Sequence, residues 1–143
     1  MSILDEVQED VKTAMKAGER ERVGQLRMLV NALQVEQKEG KGDEVAALQR
    51  ERKRRLDAAE ALREGDRTEQ ANAEEAEARL IEGYLPEQLS DEELSGLVAG
   101  AVEESGASEP KDMGNVMKVL MPKVDGRADG KRVSQAVREK LGA

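Results

Sequence analysis

The chain has 143 residues, a net charge of -8, no Cys, no His, and a single aromatic residue, Tyr84. That composition removes disulfides, thiol nucleophiles, imidazole bases and the usual zinc sites, so neither a metal nor a cofactor is expected. With 38% apolar and 38% charged residues, the core must come from Leu, Val, Ala, Met and Ile in narrow helix–helix seams.

Ser2 is a candidate N-cap, with Asp5 completing a capping box. Ile3, Leu4, Val7, Val11, Ala14 and Met15 then mark a first helix that stops near Gly18. The start is acidic and has neither the basic nor the apolar region of a signal peptide, and no apolar run is long enough to span a membrane. The expectation is a cytoplasmic protein without a membrane segment.

A second helix is predicted over Glu19 to Gln37, burying Val23, Leu26, Leu29, Val30 and Leu33. The stretch Glu39-Gly40-Lys41-Gly42-Asp43 ends it. A third helix, Glu44 to Arg63, has a thinner stripe of Val45, Leu48, Leu56, Ala59 and Leu62. It carries the cluster Arg50-Glu51-Arg52-Lys53-Arg54-Arg55. Such a cluster is either a solvated face paired with nearby Glu or a secondary basic contact through Arg52, Lys53, Arg54 and Arg55.

After Gly65-Asp66 a fourth helix runs to Gly83, with Ala73, Ala76, Leu80 and Ile81 at helical spacing and small enough for close approach. Its Glu69, Glu74, Glu75, Glu77 and Glu82 read as a solvated face. Tyr84-Leu85-Pro86 closes this part, with Tyr84 as a packing anchor rather than a base-stacking platform. We therefore expect an all-α, bipartite multihelical chain: an N-terminal subdomain of about four helices over residues 1–86 and a three-helix tail domain over 87–143.

Ser90-Asp91-Glu92-Glu93 opens the fifth helix with a capping box, followed by Leu94, Leu97, Val98, Ala101 and Val102. From Glu87 to Glu109 there are seven carboxylates and no Lys or Arg. The sixth helix shows Met113, Val116, Met117, Leu120 and Met121 on one face, and Pro122 is expected to stop it. Asp129 can cap a seventh helix that buries Val133, Ala136, Val137 and Leu141. Lys118, Lys123, Arg127, Lys131 and Arg132 are left facing out. From Lys111 onward eight Lys/Arg face four Asp/Glu, a local +4 on a -8 chain.

No Gly-rich phosphate loop, no Walker motif and no acid–base pair is present, which argues against stand-alone catalysis. Asp125 and Asp129 about Gly126 fall far short of a calcium loop.

The motifs Leu26-Arg27-Met28-Leu29, Tyr84-Leu85-Pro86-Glu87-Gln88-Leu89-Ser90, Asp112-Met113-Gly114-Asn115-Val116-Met117 and Gly126-Arg127-Ala128-Asp129-Gly130 occur in an order that resembles the YqeY family (the GatB/YqeY domain) along nearly the whole chain. The C-terminal part is similar to the tail domain of the B subunit of the tRNA-dependent Asp/Glu amidotransferase. The resemblance implies a helical N-terminal subdomain and a three-helix tail that meets tRNA or another structured RNA, with Lys118, Arg127 and Lys131 at the tail motif's basic positions. It also implies an association with aminoacylation or transamidation proteins. The activity linked to the family is carbon–nitrogen ligation with glutamine as amido donor, although the domains that hydrolyse glutamine and use ATP are not in this sequence. Gln70 stands where relatives tend to have Leu. The alternative is a protein-interaction or scaffold module with no RNA contact, using the Met113/Met117/Met121 face or the basic third helix.

Overall fold

A computed structural model describes residues 1–142. Every regular element among them is helical: α1 (Ile3–Lys16), α2 (Arg20–Glu39), α3 (Glu44–Glu64), α4 (Thr68–Glu82), α5 (Asp91–Ser105), a single 3₁₀ turn at Pro110–Asp112, α6 (Met113–Val124) and α7 (Gly130–Leu141). None is long and apolar enough to cross a membrane. The chain divides into two compact units, Met1–Leu85 and a second beginning at Pro86.

In the first unit α1 and α2 form one antiparallel pair and α3 and α4 a second. The core is Val7, Ala14, Leu26, Leu29, Leu33, Ala47, Leu48 and Ile81. Local chemistry sets the helix starts. Ser2 and Asp5 complete both arms of the capping box on α1. Asp43 caps α3 through Ala46 N–H at 3.0 Å. A long-range contact finishes α1: the Glu44 carboxylate accepts from Ile3 N–H at 3.1 Å and Leu4 N–H at 2.8 Å. Two otherwise orphaned donors of the first turn are thereby satisfied from α3.

The inward face of α4 differs from the expected one. Ala73 and Ala76 are exposed, while Ala71, Ala78 and Ile81 are buried. Glu74 and Glu77 lie on that same inward side, about one-quarter exposed, each 3.2 Å from Arg55 Nη1 of α3. They are therefore not part of a solvated face. The alanine spacing alone fits either register, and the Arg55 pairing favours the one that turns these carboxylates inward. Tyr84 packs against the first unit's core and donates its hydroxyl to Asp10 on α1.

The second unit has its own core: Leu89, Leu94, Val98, Ala101, Val116, Leu120, Val124, Ala128, Val133 and Val137. The Ser90–Glu93 capping box is complete, and Gly106 ends α5 in the left-handed conformation at φ 71°. Two expectations for α6 are corrected. Met121 is 41% exposed, and Val124 takes its place in the core. Pro122 does not stop the helix, which continues to Val124. A proline in the last turn removes one backbone bond; the full burial of Val124 and side-chain capping by Arg127 hold that turn in place.

Candidate nucleic-acid interface

The corner between α6 and α7 sets the positions of the basic residues. Asp125 and Gly126 both have positive φ, 47° and 75°, which reverses the chain within two residues. The extended segment before α5 fastens this corner: Leu89 N–H donates to Arg127 C=O at 2.7 Å, and the Gln88 side-chain amide donates to Gly126 C=O at 3.5 Å. Leu89 and Ala128 are buried beneath it.

Arg127 itself turns back on α6. Its Nε donates to Val124 C=O at 3.1 Å and its Nη2 to Lys123 C=O at 2.7 Å, so the guanidinium caps the helix C-terminus. Lys123 is paired with Glu104 of α5. Arg132 reaches Asp91 at 2.8 Å, joining the starts of α7 and α5. Lys111 pairs with Glu109 at 3.1 Å. The side chains of Lys118 and Lys131 are exposed and make no hydrogen bond or ion pair with any described residue.

Asp129 accepts from Arg132 N–H at 2.8 Å, so a carboxylate already occupies the N-terminus of α7. An anion approaching that end would meet its negative charge, which leaves the α7 side chains as the accessible donors.

Those side chains form a stripe absent from the sequence reading. Lys131, Gln135 and Arg138 stand four and then three residues apart, all exposed, opposite the buried Val133 and Val137. Arg138 and the neighbouring Lys140 also make no ion pair with a described residue. The signal for Arg138 was present in the sequence: it lies seven residues, two helical turns, beyond Lys131.

The α3 cluster has a different character. Arg50 pairs with the buried Glu36 of α2, Arg52 with Glu82 at 2.8 Å, and Arg54 with Glu51 at 2.7 Å. Arg55 is 22% exposed and lies among Glu51, Glu74 and Glu77. In this cluster only Lys53 is exposed without a partner among the described residues.

The perturbed ionisations follow from the same contacts. Backbone and hydroxyl donors from Ser90 hold the Glu93 carboxyl below its usual range, and Ser108 and Glu109 N–H groups do the same for Asp112. Burial pushes Glu77 up, with Arg55 pulling part of the way back. Burial and the Asp10 acceptor push the Tyr84 phenol well above its usual value. Each of these groups has a capping or packing partner, and none is placed beside a nucleophile. Among the described residues no group of three acidic side chains is arranged to hold a metal ion.

A comparison with proteins of curated function finds no match. The family profile described as Yqey-like protein matches residues 4–141, almost the entire chain. By that match, the chain belongs to the YqeY-like protein family.

Proposed function

We propose that this is a non-catalytic, cytoplasmic helical module whose second unit contacts the phosphate backbone of a structured RNA, with tRNA the class to which the tail resemblance points. The observation that carries this reading is the unequal pairing of the tail cations. Lys123, Arg127, Arg132 and Lys111 have internal partners, whereas Lys118, Lys131, Arg138 and Lys140 have none among the described residues. A chain carrying -8 that leaves four cations free in one small unit presents a local attraction for phosphate. Screening over roughly 8 Å at physiological salt separates that attraction from distant carboxylates.

The roles divide accordingly. Lys118, Lys131 and Arg138 meet phosphate oxygens, and Gln135 adds a neutral donor between the last two. Lys123 and Arg132 join only by exchanging Glu104 and Asp91 for phosphate, at small cost because exposed pairs contribute about 0–1 kcal/mol. Arg127 shapes the corner. Any glutamine-dependent carbon–nitrogen ligation belongs to a partner enzyme of aminoacylation or transamidation, since this chain contributes no nucleophile to it.

The test is tRNA binding measured across a salt series. With Lys118, Lys131 and Arg138 all changed to Ala, the log–log salt slope should fall by about 0.7–0.9 for each lost phosphate contact. An unchanged slope and affinity in that variant would remove the assignment.

A further inference from the structure

The first unit has a surface feature that the RNA reading leaves unused. Between α2 and α3 runs an open groove of about 820 Å³, bounded along α2 by residues from Arg27 to Gly40, roughly 20 Å at 1.5 Å per residue. On its α2 wall Met28 and Val35 are 48% and 45% exposed, seven residues apart on one helical stripe with Ala32 between them. Large aliphatic side chains are exposed at few places in this protein, and two of them lie in this one groove.

The charge around these apolar residues is layered. Glu36 and Glu51 lie low in the groove, with side chains 7% and 17% exposed. They hold Arg50 and Arg54 from below, and those arginines project with side chains 58% and 72% exposed. Arg27 adds a third cation at one end, beside the Met15 sulfur at 3.8 Å, and Glu39 is the one exposed carboxylate among the lining residues. A predominantly positive rim beside an exposed aliphatic wall is thus built into a chain of net charge -8.

We propose that the α2–α3 groove is a docking site for an amphipathic helix of a partner protein, about three to four turns long, with an aliphatic stripe flanked by Asp and Glu. Its stripe covers Met28 and Val35, and its carboxylates meet Arg27, Arg50 and Arg54. The adaptable Met28 side chain suits a helix whose stripe varies in shape. A nucleic acid would leave Met28 and Val35 uncovered, because the groove has no aromatic side chain on which a base could stack. The proposal stands apart from the RNA reading, which concerns the second unit.

Methyl-labelled methionine NMR on the full chain tests it, because Met28 reports the groove and Met113, Met117 and Met121 report the second unit. The probes are two synthetic helices with one aliphatic stripe, flanked by Glu in the first and by Lys in the second. The Glu helix should shift the Met28 methyl and leave Met113, Met117 and Met121 in place, and the Lys helix should bind at least tenfold more weakly. Val35→Asp and Arg54→Gln, both at exposed positions, should each weaken the Glu helix several-fold with little change in thermal unfolding. The proposal is overturned if neither helix moves Met28, or if both bind alike. It is equally overturned if tRNA, or a rise in protein concentration alone, moves Met28 more strongly than the Glu helix does.

Discussion

Arg55 of α3 lies 3.2 Å from Glu77 of α4, and this pairing joins the two helices where Glu74 and Glu51 also converge. One guanidinium thus offsets Glu74 and Glu77 and shares Glu51 with Arg54. Arg55→Met would leave those carboxylates facing one another and should cost about 2 kcal/mol, less than a fully buried pair because water still reaches the site. Chemical denaturation at neutral pH checks this. The deficit should shrink as the pH is lowered through the carboxylate range, because protonation then relieves the repulsion.

Glu77 has the opposite effect on stability to a usual surface carboxylate. Its pKa in the folded chain is raised above the ordinary 4.5, so its favourable contribution is complete below that value and is lost as pH rises through the folded value. Glu77→Gln should therefore stabilise the first unit at neutral pH by less than about 1 kcal/mol, with the gain vanishing near pH 4. Equal gains at both pH values would contradict the assignment.

Glu93 and Asp112 titrate with the reverse sign. Donors at the start of α5 and just before the 3₁₀ turn hold both carboxyls low, so the stability they supply is present above their ordinary values of 4.5 and 3.8 and is lost as pH falls through the folded values. Glu93→Gln should flatten the acid limb of stability against pH for the second unit. Hydrogen exchange in the first turn of α5 localises the effect.

Tyr84 is the one tyrosine in the chain, so phenolate absorbance reports a single group. In the folded protein little phenolate should form at pH 10, its ordinary midpoint, and the band should appear together with unfolding. Tyr84→Phe removes the donor to Asp10 and should destabilise the first unit by about 1–2 kcal/mol. The second unit's core, which contains neither residue, provides the internal control.

Arg127→Ala separates shaping from binding. Loss of the two bonds to Lys123 and Val124 carbonyls should destabilise the second unit by about 1–2 kcal/mol. At temperatures where that variant remains folded, the salt slope for tRNA should stay near the parent value, in contrast to the Lys118/Lys131/Arg138 variant.

The all-helical class was legible because charge-rich sequence with Leu, Val and Ala at three- and four-residue spacing permits little else. The helix ends were legible wherever Ser2, Ser90 or Asp129 supplies a cap. The face of α4 was not: Ala73 and Ala76, three residues apart, and Ala71 and Ala78, seven apart, both fit a helical stripe, and the deciding contact comes from Arg55. Pro122 misled for a similar reason, since the residues holding its turn, Val124 and Arg127, act after it in the chain. The tail's positive charge was visible in the sequence, but its pairing depends on Glu104 and Asp91, nineteen and forty-one residues from Lys123 and Arg132. Pairing at that range has no local signature, whereas the Arg138 stripe did have one in its two-turn spacing from Lys131.

The bidentate contact of Glu44 with Ile3 and Leu4 also imposes an order on synthesis. A nascent chain that has grown only as far as Asp43 has a complete α1–α2 sequence but lacks the acceptor for two of its earliest amides. Those amides remain hydrated until α3 begins to emerge, so the first helix to be made has its start completed only after the second has been synthesised. Amide exchange at Ile3 and Leu4 is therefore a clock for the arrival of α3 rather than for the folding of α1.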